Sequence, residues 1–116
     1  MFKLILAAAL ASVALAAPAE LTERATCEVG PNVRICTDVN FGGTCVDLNN
    51  SRNQWQAIPT EFLGTVSSIR PFSCGNGEDC LAGFADGSFN LMFSAGFPNL
   101  ATLGKDNQLT QFRCDW

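Results

Sequence analysis

The sequence predicts an all-β fold in which two Greek-key motifs form a sandwich stabilised by disulfide bonds. Three observations support this prediction. Apolar and polar residues alternate over short segments, turn-forming Gly, Asn, Asp and Pro separate these segments, and the chain contains six cysteines. Alternation with a period of two is typical of strands with one buried face, and short strands between turns are typical of β-sandwiches.

The N-terminal segment is expected to be a signal peptide. Lys3 precedes an unbroken apolar run from Leu4 to Ala17, which ends in small residues. A helix that spans a membrane needs about 20 apolar residues, and this run is shorter. We therefore predict a signal peptide at 1–17, a propeptide or disordered tail at 18–26, and a single domain at 27–116. The protein is expected to be secreted, without a membrane span.

Short runs rich in β-branched and aromatic residues define the predicted strands. In chain order they are Val33–Asp38, Thr44–Leu48, Thr65–Phe72, Cys80–Ala85, Phe89–Phe93 and Leu109–Trp116. The segment Arg52–Ile58 is predicted to form a helical turn. The order of residue types is similar in two segments, Ile58–Pro71 and Phe97–Cys114. This similarity indicates two halves built on one plan that pack face to face around one core.

The even number of cysteines in a chain expected to be exported predicts three disulfide bonds. The cysteines are Cys27, Cys36, Cys45, Cys74, Cys80 and Cys114. Among the possible pairings we expect Cys36–Cys45 across a hairpin, Cys74–Cys80 around a loop and Cys27–Cys114 between the ends. Zinc is disfavoured because the chain has no histidine and no Cys-x-x-Cys pair.

Charge and composition exclude several functions. The net charge is −4 and the basic residues form no cluster, which argues against nucleic acid and anionic membranes as partners. The lack of histidine excludes a Ser-His-Asp triad and a Cys-His pair. Glu78 and Asp79 are adjacent acids, but so small a chain offers no obvious sugar cleft. We expect that the protein is not an enzyme.

Aromatic residues are expected to fill the core, with the two tryptophans nearer its rim. The predicted core residues are Phe41, Phe62, Phe72, Phe84, Phe93 and Phe112, and the rim residues are Trp55 and Trp116. Alternatively, an exposed subset around Phe93–Leu100 forms a binding patch. Separately, Asn49 begins a glycosylation sequon on a predicted loop.

Several of these residues resemble the Greek-key motif of the βγ-crystallin family. Phe41–Gly43 fits the family's aromatic-x-Gly hairpin, and Ser67 with Ser68 fits its later serine pair. The resemblance spans about Val33 to Cys114 and is weaker in the second half, where the hairpin lacks that spacing. The chain also resembles small cysteine-rich proteins that microbes, above all fungi, secrete. Gly42 and Gly43 are expected to serve folding by adopting positive φ.

The resemblance also implies a calcium site. The family's calcium sequence has two Asp/Asn residues, two variable positions, then Ser/Thr and Ser. The segment 106–111 is similar except at its last position, whereas 63–68 lacks both Asp/Asn residues. The implied ligands are Asp106, Asn107, Thr110, Ser67 and the carbonyls of Thr65 and Gln108. With so few carboxylates, affinity should be weak. The alternative is a polar turn stitched by hydroxyls.

These observations predict a secreted, non-enzymatic module that is stable outside the cell and has calcium as its expected ligand. The alternative is a secreted interaction protein, which is either toxin-like or effector-like or a protease inhibitor. Its partner would be an extracellular protein or a cell-surface target. An inhibitory loop would be Gly75–Asp79 between Cys74 and Cys80, although that loop could equally be a tightened turn.

Overall fold

The computed structural model describes residues 29–72 and 79–116. They form seven strands: β1 (Val33–Cys36), β2 (Cys45–Leu48), β3 (Gln56–Ala57), β4 (Ser68–Pro71), β5 (Asp79–Phe84), β6 (Phe89–Met92) and β7 (Leu109–Asp115). Three short 3-10 segments lie between them at Val39–Phe41, Thr60–Phe62 and Leu100–Leu103. The predicted signal peptide and tail, Cys27 and Cys74 lie outside the described residues. Within those residues, no helix is long and apolar enough to cross a membrane.

The strands form two antiparallel sheets, which confirms the predicted all-β class. The first sheet has the order β2–β1–β4, and the second has the order β3–β7–β5–β6. Each half of the chain therefore places its first, second and last strands in one sheet. The last strand of each half lies beside its first, as in a Greek key, and the third element of each half lies in the sheet of the other half.

The two halves exchange these third elements reciprocally. Gln56 and Ala57 of β3, from the first half, pair with Phe112 and Gln111 of β7. In return Phe97, from the second half, forms a bridge with Ile69 of β4. The Phe97 and Ile69 backbones bond in both directions, at 2.7 and 3.1 Å. Neither sheet is complete without residues from both halves.

The repeat seen in the sequence is present in the backbone. Pro59 precedes one 3-10 segment and Pro98 closely precedes another. Each segment is soon followed by a glycine with positive φ, Gly64 at 77° and Gly104 at 69°. A side chain is disfavoured at such φ values, so glycine ends both turns before the closing strand begins.

The core between the sheets is more aliphatic than the sequence suggested. Its fully buried large side chains are Phe112, Ile35, Ile69, Leu100, Leu109, Val33 and Val66. Phe62 and Phe84 are buried as predicted. Phe41 and Phe72 are only half-buried, and Phe93 is exposed, so their assignment to the core was wrong.

The predicted helical turn at Arg52–Ile58 is also wrong, because this segment contains β3. The Ile58 N–H donates to the Thr110 carbonyl at 3.0 Å and extends the pairing with β7. The local sequence resembles a turn because its backbone partner lies far along the chain. Pairing with a distant strand decided the conformation here.

Two disulfide bonds lie within the described residues. Cys36–Cys45 joins residues opposite each other on β1 and β2, as predicted. Cys80 bonds with Cys114, its direct neighbour across β5 and β7. The expected pairings Cys74–Cys80 and Cys27–Cys114 are therefore wrong. Each observed bond locks two strands of one sheet, which limits the conformations of the unfolded chain.

Candidate functional site

The glycine-containing turn after β1 folds the β1–β2 hairpin back on itself. Asn40 and Phe41 both have positive φ, at 57° and 61°, as does Gly43 at 75°. A Cβ at Gly43 would lie 2.4 Å from Thr37 Oγ1, so only glycine fits. The folding role expected for Gly43 is supported, whereas Gly42 has negative φ and does not need glycine's freedom.

Ser68 holds this folded hairpin against the sheet. Its side chain is fully buried. Its hydroxyl donates to the Asp38 carbonyl at 2.7 Å and accepts from the Phe41 N–H at 3.1 Å. One hydroxyl thus satisfies a donor and an acceptor of a turn whose backbone conformation is unfavourable for non-glycine residues. The second serine of the predicted pair therefore has a structural role.

The two loops implied as a calcium site touch each other. Asn107 lies in the left-handed region at φ 61°, where asparagine is better tolerated than most residues. Its N–H donates to the Val66 carbonyl at 3.1 Å. Ser67 is fixed on both sides, since its N–H donates to the Cys36 carbonyl and its carbonyl accepts from Leu100. The loops are therefore held together by the backbone.

Two of the implied ligand atoms, the Thr110 hydroxyl and the Gln108 carbonyl, already make hydrogen bonds within the protein. The hydroxyl of Thr65, whose carbonyl is the implied ligand, donates to the Phe62 carbonyl at 2.8 Å. The Thr110 hydroxyl lies 3.4 Å from the Gly83 carbonyl, a weak bond. The Gln108 carbonyl accepts from the Ala85 N–H at 2.9 Å. Hydroxyl and carbonyl oxygens keep a lone pair after one such bond, so each can still act as a ligand.

An ion pair between Lys105 and Asp86 lies beside the second loop. Lys105 Nζ contacts Asp86 Oδ2 and also lies 5.6 Å from the centre of the Phe84 ring. Asp86 further accepts from the N–H and the hydroxyl of Ser88. Lys105, followed by Ser88, lowers the pKa of the Asp86 carboxyl well below its ordinary value. Asp86 is therefore held by the protein and offers little to a metal ion.

The remaining oxygen ligands of the implied set are suited to weak binding of a hard cation. Asp106 is exposed and has no hydrogen-bonding or ionic partner among residues 29–72 and 79–116. It is the one carboxylate in the implied set, and the described part of the chain holds no cluster of three or more metal-binding His, Cys, Asp or Glu residues. Calcium would therefore rely on amide, hydroxyl and carbonyl oxygens, which give low affinity.

The outer face of the first sheet carries an aromatic and arginine cluster that sequence reasoning missed. Arg34 forms a two-contact ion pair with Asp47 across β1 and β2, at 2.7 and 3.1 Å. The hydrogen bond from Arg34 lowers the pKa of the Asp47 carboxyl. Phe72 contacts two guanidinium groups, with its ring centre 5.4 Å from Arg34 and 4.9 Å from Arg70. Arg34 and Arg70 lie directly opposite each other on β1 and β4, and the shared ring and the Asp47 carboxylate offset their repulsion.

The sequon lies where β2 ends, and its two asparagines differ sharply. The Asn49 side chain is exposed, and its Nδ2 donates to the Val29 carbonyl at 3.1 Å. Asn50 is buried, and its Nδ2 lies 2.8 to 3.1 Å from the carbonyls of Ser51, Gln54 and Cys114. Asn50 thus ties the end of β2 to β7 in the other sheet, a role that nothing in the local sequence indicates.

Comparisons with known proteins found one similar solved structure. No protein-family model and no curated protein matches the chain. A solved structure, the βγ-crystallin domain of Abundant Perithecial Protein (APP) from Neurospora crassa in its Ca2+-bound form, is similar with a TM-score of 0.49 and 16% sequence identity. The similarity covers 73% of this chain and 89% of that chain.

Proposed function

We propose that this chain is a secreted, non-enzymatic structural module whose interlocked halves keep it folded outside the cell. The observation that carries the proposal is the reciprocal exchange of β3 and Phe97 between the sheets. Because each sheet needs residues from both halves, local opening of one half disrupts the other. Such coupling favours all-or-none unfolding, which limits partly open states that proteases attack.

Secretion is supported by the sequence together with the disulfide bonds. The apolar N-terminal run fits export, and the bonds Cys36–Cys45 and Cys80–Cys114 persist in oxidising compartments. N-terminal sequencing of protein recovered from culture medium tests export. A start within residues 18–27 is expected, whereas retention inside the cell with Met1 intact would contradict secretion.

Amide hydrogen exchange tests the structural part. Ile35 in the first sheet and Phe112 in the second are both fully buried. If the halves open together, the amides of these strands should exchange with one common free energy, equal to that of global unfolding. Earlier exchange of one entire sheet would contradict the coupling.

We further propose calcium as a weak ligand of the loops 63–67 and 105–110. The contact between Asn107 and Val66 and the unpaired Asp106 carboxylate support this assignment. Calcium present at ten times its Kd would stabilise the fold by about 1.4 kcal/mol, which raises the melting temperature of a domain this size by about 5–10 °C. The test compares thermal melts in millimolar calcium with melts in chelator.

Two variants assign the calcium effect to the loop. Asp106→Asn keeps the side-chain shape and removes the charge, so most of the calcium-dependent shift should disappear. Asp79→Asn removes a different exposed carboxylate, at the start of β5, and should leave the shift intact. No shift for the unaltered chain at millimolar calcium would remove the calcium assignment without affecting the structural proposal.

The protease-inhibitor alternative loses its structural argument. That argument needed the loop Gly75–Asp79 to be closed by Cys74 and Cys80, but Cys80 bonds with Cys114. A toxin-like or effector-like role is separated from the structural role by incubating the protein with fungal and bacterial cells. Growth inhibition at micromolar protein would favour the toxin-like role over the one proposed.

A further inference from the structure

The second sheet ends in a strand that has no neighbour among the described residues on its outer side. This strand is β6, the last in the order β3–β7–β5–β6. Phe89 and Leu91 alternate along it, Phe93 directly follows its last residue, and these side chains are 60%, 43% and 74% exposed. Met92, between them, is only 4% exposed and faces the core. The outer face of this edge is therefore a row of three large apolar side chains.

The backbone groups of Phe89 and Leu91 point to the open edge, whereas the Phe93 carbonyl accepts from the Gly96 N–H at 2.7 Å. The Phe84 N–H donates to the Ser88 carbonyl at 2.9 Å, which closes the β5–β6 hairpin. In antiparallel pairs, hydrogen-bonded positions alternate with non-bonded ones. Asn90, two residues after Ser88, repeats the bonded position, whereas Phe89 and Leu91 do not. Their N–H and C=O groups therefore face away from β5.

This edge lacks three of the features that normally prevent edge pairing, although β6 is short at four residues. Proteins protect exposed edges with lysine, proline, bulges or very short strands. Here, the sequence has no charged residue from 87 to 104, and its first proline in that stretch is Pro98. The pairing of β5 with β6 is regular over four residue pairs. An apolar, regular and uncharged edge is suited to pairing with another strand.

The side-chain order along this edge is its own complement. Phe89 and Phe93 are each two residues from Leu91 in the sequence, and all three side chains are exposed. A two-fold axis at Leu91 places each residue opposite the one equally far on the other side, so this order sets phenylalanine against phenylalanine and leucine against leucine. A second copy therefore brings an edge that is equally apolar and uncharged.

We propose that the β6 edge forms a homodimer by pairing with the β6 edge of a second copy about a two-fold axis at Leu91. Leu91 then lies opposite Leu91 of the partner subunit, and the two exchange both backbone hydrogen bonds. Phe89 lies opposite Phe93 of the partner subunit. The two four-stranded sheets become one continuous sheet.

Trp55 extends the apolar surface next to this edge. Its ring lies edge-on to Phe89, with centroids 6.1 Å apart at 65°. It also covers Gly83, where an added Cβ would lie 3.1 Å from the tryptophan ring. In the dimer, Trp55 and Phe89 of one copy and Phe93 of the partner subunit form one aromatic row across the interface. Such pairs add to the stabilisation that burial of their area provides.

The area available indicates a weak dimer. A buried aromatic side chain contributes about 150–250 Å², so the exposed parts of Phe89 and Phe93, with Leu91, supply roughly 350 Å² per copy. Stable interfaces bury about 800 Å² per partner. We therefore expect dissociation in the micromolar range, and half-dimer at roughly tens of micromolar protein.

Sedimentation velocity of the purified chain over a concentration series, from about one to several hundred micromolar, tests the proposal. The sedimentation coefficient should rise from monomer to dimer and then stop. Leu91→Lys places two positive charges against each other at the axis and should weaken the dimer by at least tenfold. Leu103→Lys adds the same charge at a leucine of similar exposure, 37%, outside both proposed calcium loops, and should leave the dimer unchanged.

Cross-linking provides a second test that does not depend on the charged variant. Residues opposite each other at a two-fold axis are close enough for a disulfide, so Leu91→Cys should form an intermolecular bond under oxidation. Leu103→Cys should not cross-link beyond the rate set by random collision. Hydrogen exchange adds a third readout, because the Phe89 and Leu91 amides should gain protection as concentration rises.

Several results would overturn this inference. A monomer at every concentration would do so, as would a dimer that Leu91→Lys leaves intact. Larger assemblies would show that the contact does not close about a two-fold axis. Phe89 and Leu91 amides that are already protected in dilute monomer would show that another segment of the same chain covers the edge.

Discussion

Replacing Asn50 tests how strongly one buried amide ties the two sheets together. In Asn50→Ala, the Cys114 carbonyl in the second sheet loses its bond to Nδ2, as do the carbonyls of Ser51 and Gln54. Each hydrogen bond contributes about 1 kcal/mol net. The Ser51 and Cys114 carbonyls still accept from the Gln54 and Asn53 N–H groups after the change. Two hydrogens serve the three acceptors, so we expect a loss of about 2 kcal/mol.

Such a loss is a large share of the stability of a small domain, which is typically about 5–15 kcal/mol. Because 1 kcal/mol shifts the melting temperature of a domain this size by about 4–8 °C, the midpoint should fall by roughly 8–16 °C. Urea unfolding followed by circular dichroism measures the free energy directly. Oxidised protein from a host that does not glycosylate should be used, so that the sequon stays unmodified in every variant.

The neighbouring Asn49→Ala is the matched control. Asn49 is exposed and makes one side-chain bond, to the Val29 carbonyl, so its loss should cost less than about 1 kcal/mol. Asn50→Asp adds a test of sign, because a carboxylate has no hydrogens to donate to the carbonyls and should be worse than alanine at neutral pH. Equal effects of Asn49→Ala and Asn50→Ala would refute the reasoning.

Three further predictions follow from other parts of the fold. Asp47 and Asp86 have lowered pKa values because of their cationic partners. The stabilisation that these ion pairs provide is therefore present above the ordinary carboxyl pKa of about 4 and is lost as the pH falls further. The free energy of unfolding measured in acid should accordingly depend less on pH in Asp47→Asn and Asp86→Asn. Gly43→Ala should lower the urea midpoint more than Gly64→Ala, since both have positive φ but only Gly43 has a neighbour at 2.4 Å, and equal midpoints would contradict this explanation. All six cysteines should be oxidised, so thiol titration in denaturant should detect no free thiol before reduction.

The strands were largely predictable because their information is local. Alternating apolar residues located six of the seven strands, including β1 and β7, and the turn residues located their ends to within a few positions. The strand that was missed, β3, has only two residues and depends on a partner more than fifty positions away. Its conformation follows from long-range pairing, which local patterns do not encode.

The same distinction explains the errors in the core and the cysteines. Phe93 follows the alternation of a strand, but its strand lies at the edge of the sheet, and this position depends on sheet order rather than on nearby residues. Cys36–Cys45 was predictable because the bond spans one hairpin. Cys80–Cys114 joins strands that lie far apart in sequence and become neighbours only in the folded sheet.

The candidate calcium loops show where sequence motifs stop being informative. The pattern 106–110 identified a loop that does contact the first half, through Asn107 and Val66. It did not indicate that the Ser68 hydroxyl is hydrogen-bonded to the folded hairpin, or that Lys105 and Asp86 form an ion pair beside the loop. These partnerships depend on which loops meet, and this is known only once the sheets are assembled.

The crossing of β3 and Phe97 has a consequence for the origin of this architecture. An ancestral polypeptide with only one of the repeats would have exchanged its third element with the same element of a second copy. Gene duplication followed by fusion would then have turned a swapped pair into a single chain. Either repeat expressed by itself should accordingly be found as an intertwined twofold assembly, or not folded at all.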